Sequence, residues 1–169
     1  MSKFDEVCQA FMTAKQVYFD EKEACCVLLT HIAEGMRKYL ETPTYHLYFL
    51  PRGREGSAVK VRPSKEVAWR EGDGWHFNLG LSVVDAAEKP DYVTGPEMVV
   101  GEVVARRDGE GFEVRLAGRP ERFKLPAEPS VEDQAPFYEF FFKQMLETYV
   151  RPGLMFFEGG PEIHRVIGR

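Results

Sequence analysis

"VVARRDGEGFEVRL", residues 103–116, joins two apolar-rich runs through an Asp108-Gly109 pair. An Asp-Gly step between such runs is a strong short-range signal for a β-hairpin. On its second side Phe112, Val114 and Leu116 alternate with Glu113 and Arg115, the period-2 pattern of a strand buried on one face. The same pattern extends outward in both directions. "TYHLYFL", "SAVKVRP", "KEVAWRE", "WHFNLGLSVV", "EMVVGEVVARR", "FEVRLAG" and "ERFKLP" all read as strands. The turn signals "RGREG", "EGDG", "DGEG" and "AGRP" separate most of them. Connections this short force antiparallel neighbours, because a parallel crossover needs a dozen or more residues. The expectation is an antiparallel meander of five to seven strands over residues 44–126. Its one long connection is "DAAEKPDYVTGP".

Helical spacing brackets this region. Phe4, Phe11, Tyr18, Cys25, Ile32 and Tyr39 stand seven residues apart, with Val7, Leu28, Leu29 and Met36 beside them. The seam turns polar at Lys15, Glu21 and Lys22, and Asp20-x-x-Glu23 resembles a capping box. Residues 1–42 therefore read as two helices or one kinked helix, ending at Thr42-Pro43. Ser130-x-x-Asp133 opens a final helix over 130–150, stopped by Arg151-Pro152-Gly153, and 151–169 reads as a tail. Together these elements predict a single α+β domain over 1–169, with the long C-terminal helix packed on the same sheet face as the N-terminal helices.

The chain has 169 residues and a net charge of −5, which disfavours wholesale binding to nucleic acid or anionic membrane. Its longest apolar run, "ACCVLL" at 24–29, is far too short to span a bilayer. With three cysteines and no export signal at its start, the sequence reads as a protein of a reducing cytoplasm with free thiols. Cys25, Cys26 and His31 lack zinc spacing, and on a helix His31 points away from both thiols, so Cys25 reads as a small core residue. No metal site, cofactor fingerprint or catalytic motif is found.

Three surfaces remain as candidates. The first is "PFYEFFFKQMLETYV", residues 136–150, whose apolar arc covers about 240° of a helical wheel, more than one sheet face can bury. The N-terminal helices, the "LMFF" segment folding back or another chain would cover its second side; Phe140, Phe142 and Tyr149 flank that arc and are the expected contacts for self-association or a protein partner. This gives the leading expectation, a non-enzymatic interaction protein. The second is the polar side of two strands: His46, Tyr48, His76, Asn78 and Ser82 would line a small-molecule or hydrolase-like site if their faces coincide. The sequence places no carboxylate to orient either imidazole. The third is the basic segment 51–70, where Arg52, Arg54, Lys60 and Arg62 lie near Tyr48 and Trp69 and would suit single-stranded nucleic acid.

Overall fold

The computed structural model describes residues 2–42, 46–52, 63–83, 97–150 and 163–166. For 83, 97, 98, 148–150 and 163–166 it describes the backbone alone. In chain order the elements are α1 (Lys3–Tyr39), β1 (Leu47–Leu50), α2 (Ser64–Val67), β2 (Trp69–Glu71), β3 (Gly74–Val83) and β4 (Glu97–Asp108). Then follow β5 (Gly111–Leu116), β6 (Phe123–Leu125), α3 (Val131–Val150) and β7 (Ile163–Val166).

The expected α+β architecture is present: a helix at each end of an antiparallel sheet, both packed on one face. The sheet path is β1-β3-β4-β5-β6, with β2 paired to β3 and β7 paired to β4. Register shows that the two long central strands each share an edge between two partners. β3 gives residues 78–81 to β1 and 74–76 to β2. β4 pairs with β5 over 103–108 and with β7 over 98–101. The hairpin in "VVARRDGEGFEVRL" forms, shifted by one residue. Asp108 already pairs with Gly111, so Gly109 and Glu110 make the turn. Gly109 holds φ +63 at the first turn position, where a side chain would be strained.

Register also fixes the two faces. Trp75, Phe77 and Leu79 of β3 share one face with Val103 and Ala105 of β4 and Val114 and Leu116 of β5. These are buried in one core with Cys25, Leu28, Leu29, Ile32 and Met36 of α1 and Phe137, Tyr138, Phe141 and Met145 of α3. Cys25 is fully buried, its Sγ 3.8 Å from the Ala105 carbonyl, and burial pushes its thiol up to about 12. The structure thus gives it the core role read from the sequence.

Three local readings need correction. α1 is one continuous 37-residue helix, unbroken at Asp20. The Asp20 carboxylate accepts from Gln16 Nε2 at 2.8 Å rather than capping a new helix, and the capping box that does form is Ser2 with Asp5. "KEVAWRE" is not one strand: Ser64–Val67 make a single helical turn before β2. Residues 163–166, read as tail, form β7 on the edge of β4. The Ser130 and Asp133 box at the start of α3 is present, with main-chain amide bonds in both directions at 2.8 and 3.2 Å. "SAVKVRP" lies outside the described residues except for Pro63.

Candidate functional site

Most of the apolar arc of α3 is covered from within the chain, while Leu146 remains 47% exposed. Phe137, Tyr138, Phe141 and Met145 are buried and occupy about 100° of the wheel, the width one sheet face covers. The flanks of the arc have separate partners. Phe140 packs on Phe123 of β6 with ring centres 5.4 Å apart, and Phe142 meets Tyr39 of α1 at 6.3 Å. The Tyr39 hydroxyl also donates to Glu139, tying the end of α1 to the outer side of α3. Phe140 and Phe142 are therefore engaged with the core. The side chain of Tyr149 and the "LMFF" segment lie outside the described residues.

On the other face of the sheet, His76, Asn78, Gly80 and Ser82 of β3 do coincide with Tyr48 of β1, which pairs with Gly80. His46 stands just before β1, its Nδ1 3.0 Å from the Ser82 carbonyl. The expectation that no carboxylate orients an imidazole is overturned. Glu102 of β4 pairs with Asn78, and its carboxylate lies 2.6 Å from His76 Nδ1. His76 Nε2 is 3.0 Å from the Glu71 carbonyl, and Trp69 stacks on the ring at 5.7 Å. Both nitrogens thus lie within hydrogen-bonding distance of oxygens of the protein itself. Each nitrogen is therefore already directed at a partner within the fold rather than at open solvent. The arrangement can anchor β2 to β3 and β4, but it is poorly suited to acid–base chemistry. Among the described residues no cluster of histidine, cysteine and acidic side chains has metal-binding geometry.

Ion pairs fill much of the rest of that face. Glu113, only 5% exposed, pairs with Arg106 and Arg122, and Arg106 reaches Asp73 at 2.5 Å. Burial raises the Glu113 carboxyl, but hydrogen bonds from Arg122 and Arg106 outweigh it and hold the group below its ordinary value. Lys124 pairs with Asp108 at 2.9 Å. Of the basic segment, Arg52 bonds Glu71 at 2.7 Å and lies over Trp69 at 5.4 Å. That pairing leaves Arg52 less available to a phosphate. Arg54, Lys60 and Arg62 lie outside the described residues.

The surface that sequence reasoning missed is on α1. Every residue from Lys3 to Asp20 is exposed. Phe4 is 74% exposed, Val7 67%, Phe11 64%, Met12 60% and Phe19 51%. The helix meets the sheet at Tyr18, whose ring lies 5.0 Å from Trp75. Next to it Glu21 bonds Arg70 at 2.6 Å and the Lys22 ammonium sits 5.6 Å over Trp75. The polar break at Glu21 and Lys22 was thus a true signal with another meaning: it marks where α1 runs off the sheet. At 1.5 Å per residue, the part before Tyr18 extends about 22 Å beyond that anchor. No helix among the described residues is long and apolar enough to cross a membrane. No protein-family model, curated protein or solved structure matches the chain.

Proposed function

We infer that this protein is a non-enzymatic interaction module whose contact surface is the projecting half of α1. The observation that carries this reading is the run of exposed apolar side chains Phe4, Val7, Phe11 and Met12 on the helix segment before Tyr18, where every residue is exposed, with Phe19 exposed just past it. Leaving each in water forgoes about 1.5–3 kcal/mol of burial, so together they rival the stability of a whole domain. Isolated helices of this length are marginal in water, and aromatic and β-branched residues make poor surface helix formers. A partner supplies the cover that the described residues do not give this segment. The aromatic helix α3 becomes part of the scaffold, since Phe140 and Phe142 already have partners in the core. The competing small-molecule or hydrolase-like reading around His46 and His76 is weakened by the engagement of both His76 nitrogens.

Site-specific photo-crosslinking in cells tests the reading. A benzophenone side chain at Phe11 is expected to give protein adducts, and one at exposed His31, beyond the projecting half, far fewer. Equal yields at the two positions, or no adduct at position 11, would sink it.

A further inference from the structure

The projecting stripe has a geometry that narrows its occupant. At about 100° per residue, Val7, Phe11, Phe4, Cys8, Phe19 and Met12 fall within one arc of about 140°. Farther along the same helix Cys25, Leu29, Ile32 and Met36, all fully buried, face the sheet from an overlapping direction. The exposed stripe is therefore a continuation of the core-facing stripe past the end of the sheet. Phe4, Phe11, Tyr18, Cys25 and Ile32 keep a strict seven-residue interval, which on a 3.6-residue helix drifts about 20° per repeat. That drift matches a partner helix wrapped in a left-handed supercoil.

We propose that the occupant is a second copy of this chain, bound through the same half of α1 in antiparallel orientation about a two-fold axis near Phe11. The proposal rests on the reading of this helix as an interaction surface and adds the partner's identity and direction. Orientation follows from the shared stripe. In a parallel pair, the far half of each helix would run into the space that the other copy's sheet occupies. In an antiparallel pair, each helix leaves in the opposite direction and only the projecting halves overlap. Such a contact is isologous and closes after two copies.

Area supports the assignment. Scaling the exposed fractions to side chains of roughly 150–250 Å² for aromatics, and somewhat less for Val and Met, gives on the order of 450–650 Å² of apolar surface per chain. Two copies together approach the ~1,200–2,000 Å² of a specific interface. With the axis near Phe11, the two Phe11 rings meet each other at the centre of the contact and Val7 of each helix lies beside Lys15 of the other. Lys15 lies within the stripe, and its four-carbon stem can cover apolar surface while the ammonium reaches the rim.

Sedimentation equilibrium and spin-label distances on the purified full chain test this. Wild type is expected to be a dimer at tens of micromolar, and Phe11→Ala to raise the dissociation constant about 100-fold or more, because one ring is lost from each copy. Alanine preserves helix propensity, and Phe11 makes no core contact, so an unchanged thermal midpoint of the monomeric domain separates lost association from lost folding. Spin labels at His31→Cys in a Cys8→Ser background are expected about 55–60 Å apart in the antiparallel dimer. A label distance below ~25 Å overturns the orientation. A strict monomer at 100 μM overturns the second copy, while crosslinking at position 11 to a different protein would leave the interaction surface itself standing.

Discussion

Gly35→Ala should destabilise this protein although the substitution ordinarily favours a helix. In an exposed helix interior, replacing Gly with Ala gains about 1 kcal/mol. Position 35 lies where α1 passes α3, and the space a methyl group would need is already filled. A Cβ there overlaps the Tyr138 hydroxyl and stands 2.8 Å from Cζ and 3.2 Å from Cε2. Tyr138 has little freedom to yield. It is 1% exposed, its ring lies 5.7 Å from Tyr39 and 6.5 Å from Phe137, and its hydroxyl donates to Gln134. Overpacking of this kind costs about 1–3 kcal/mol, so a net loss of up to about 2 kcal/mol remains after the helix gain. Tyr138→Phe removes the hydroxyl and leaves the Gln134 Oε1 acceptor without this donor, at about 1 kcal/mol. In the double variant the nearest atom becomes Cζ, so relief is partial and the two changes couple by about 1 kcal/mol. Urea unfolding followed by circular dichroism measures all four corners of the cycle. A Gly35→Ala protein more stable than wild type, or strict additivity, would refute the close helix crossing.

Three further outcomes follow from the same packing. Glu113→Gln should cost about 1–2 kcal/mol at neutral pH, since charge-assisted bonds from Arg106 and Arg122 become neutral ones. Because the folded-state carboxyl is held below its ordinary 4.5, that stability is present above pH 4.5 and lost as pH falls through the folded value. Urea midpoints of wild type and variant should therefore converge in acid, and a constant gap would count against the pairing. Of the three cysteines, only exposed Cys8 should react rapidly with a thiol reagent at pH 8, whereas Cys25 and Cys26 react after denaturation. Gly109→Ala meets no neighbour within 4 Å and should cost only about 1 kcal/mol for its left-handed backbone. Gly111→Ala collides with the Leu125 main chain and should cost more, as thermal midpoints of the two variants will report.

Periodicity made the class of fold legible because it reports which side of an element is apolar. The alternation in "FEVRL" and "WHFNLGLSVV" gave antiparallel strands with their buried faces assigned correctly. Periodicity does not report what covers an apolar side. Phe11 and Ile32 belong to one seven-residue series, yet Ile32 is fully buried and Phe11 is 64% exposed. Only the length of the sheet beneath the helix separates them. The breadth of the α3 arc called for a second cover without saying which; Tyr39 of α1 meets Phe142 and Phe123 of β6 meets Phe140, both from distant parts of the chain. His76 and Glu102 meet because β3 and β4 pair with Asn78 opposite Glu102, a register that residue types alone do not specify.

The shared edge of β4 has a consequence for how the sheet opens. Between Leu116, the last residue of β5, and Ile163, the first of β7, the partner of β4 changes at Gly101 and Glu102. The amide of Ala117 bonds the Glu102 carbonyl at 2.9 Å just where β5 departs. Beyond that point, Met98–Gly101 depend for this edge on a four-residue strand that rejoins the sheet some 60 positions later in the sequence. Release of β7 alone would bare a short row of unpaired main-chain groups while the β3–β4–β5 framework stays intact. Such a row is a template for adding a strand from another molecule. β7 is in that sense a guard strand, and hydrogen exchange along 98–101 compared with 103–108 would measure how firmly it holds.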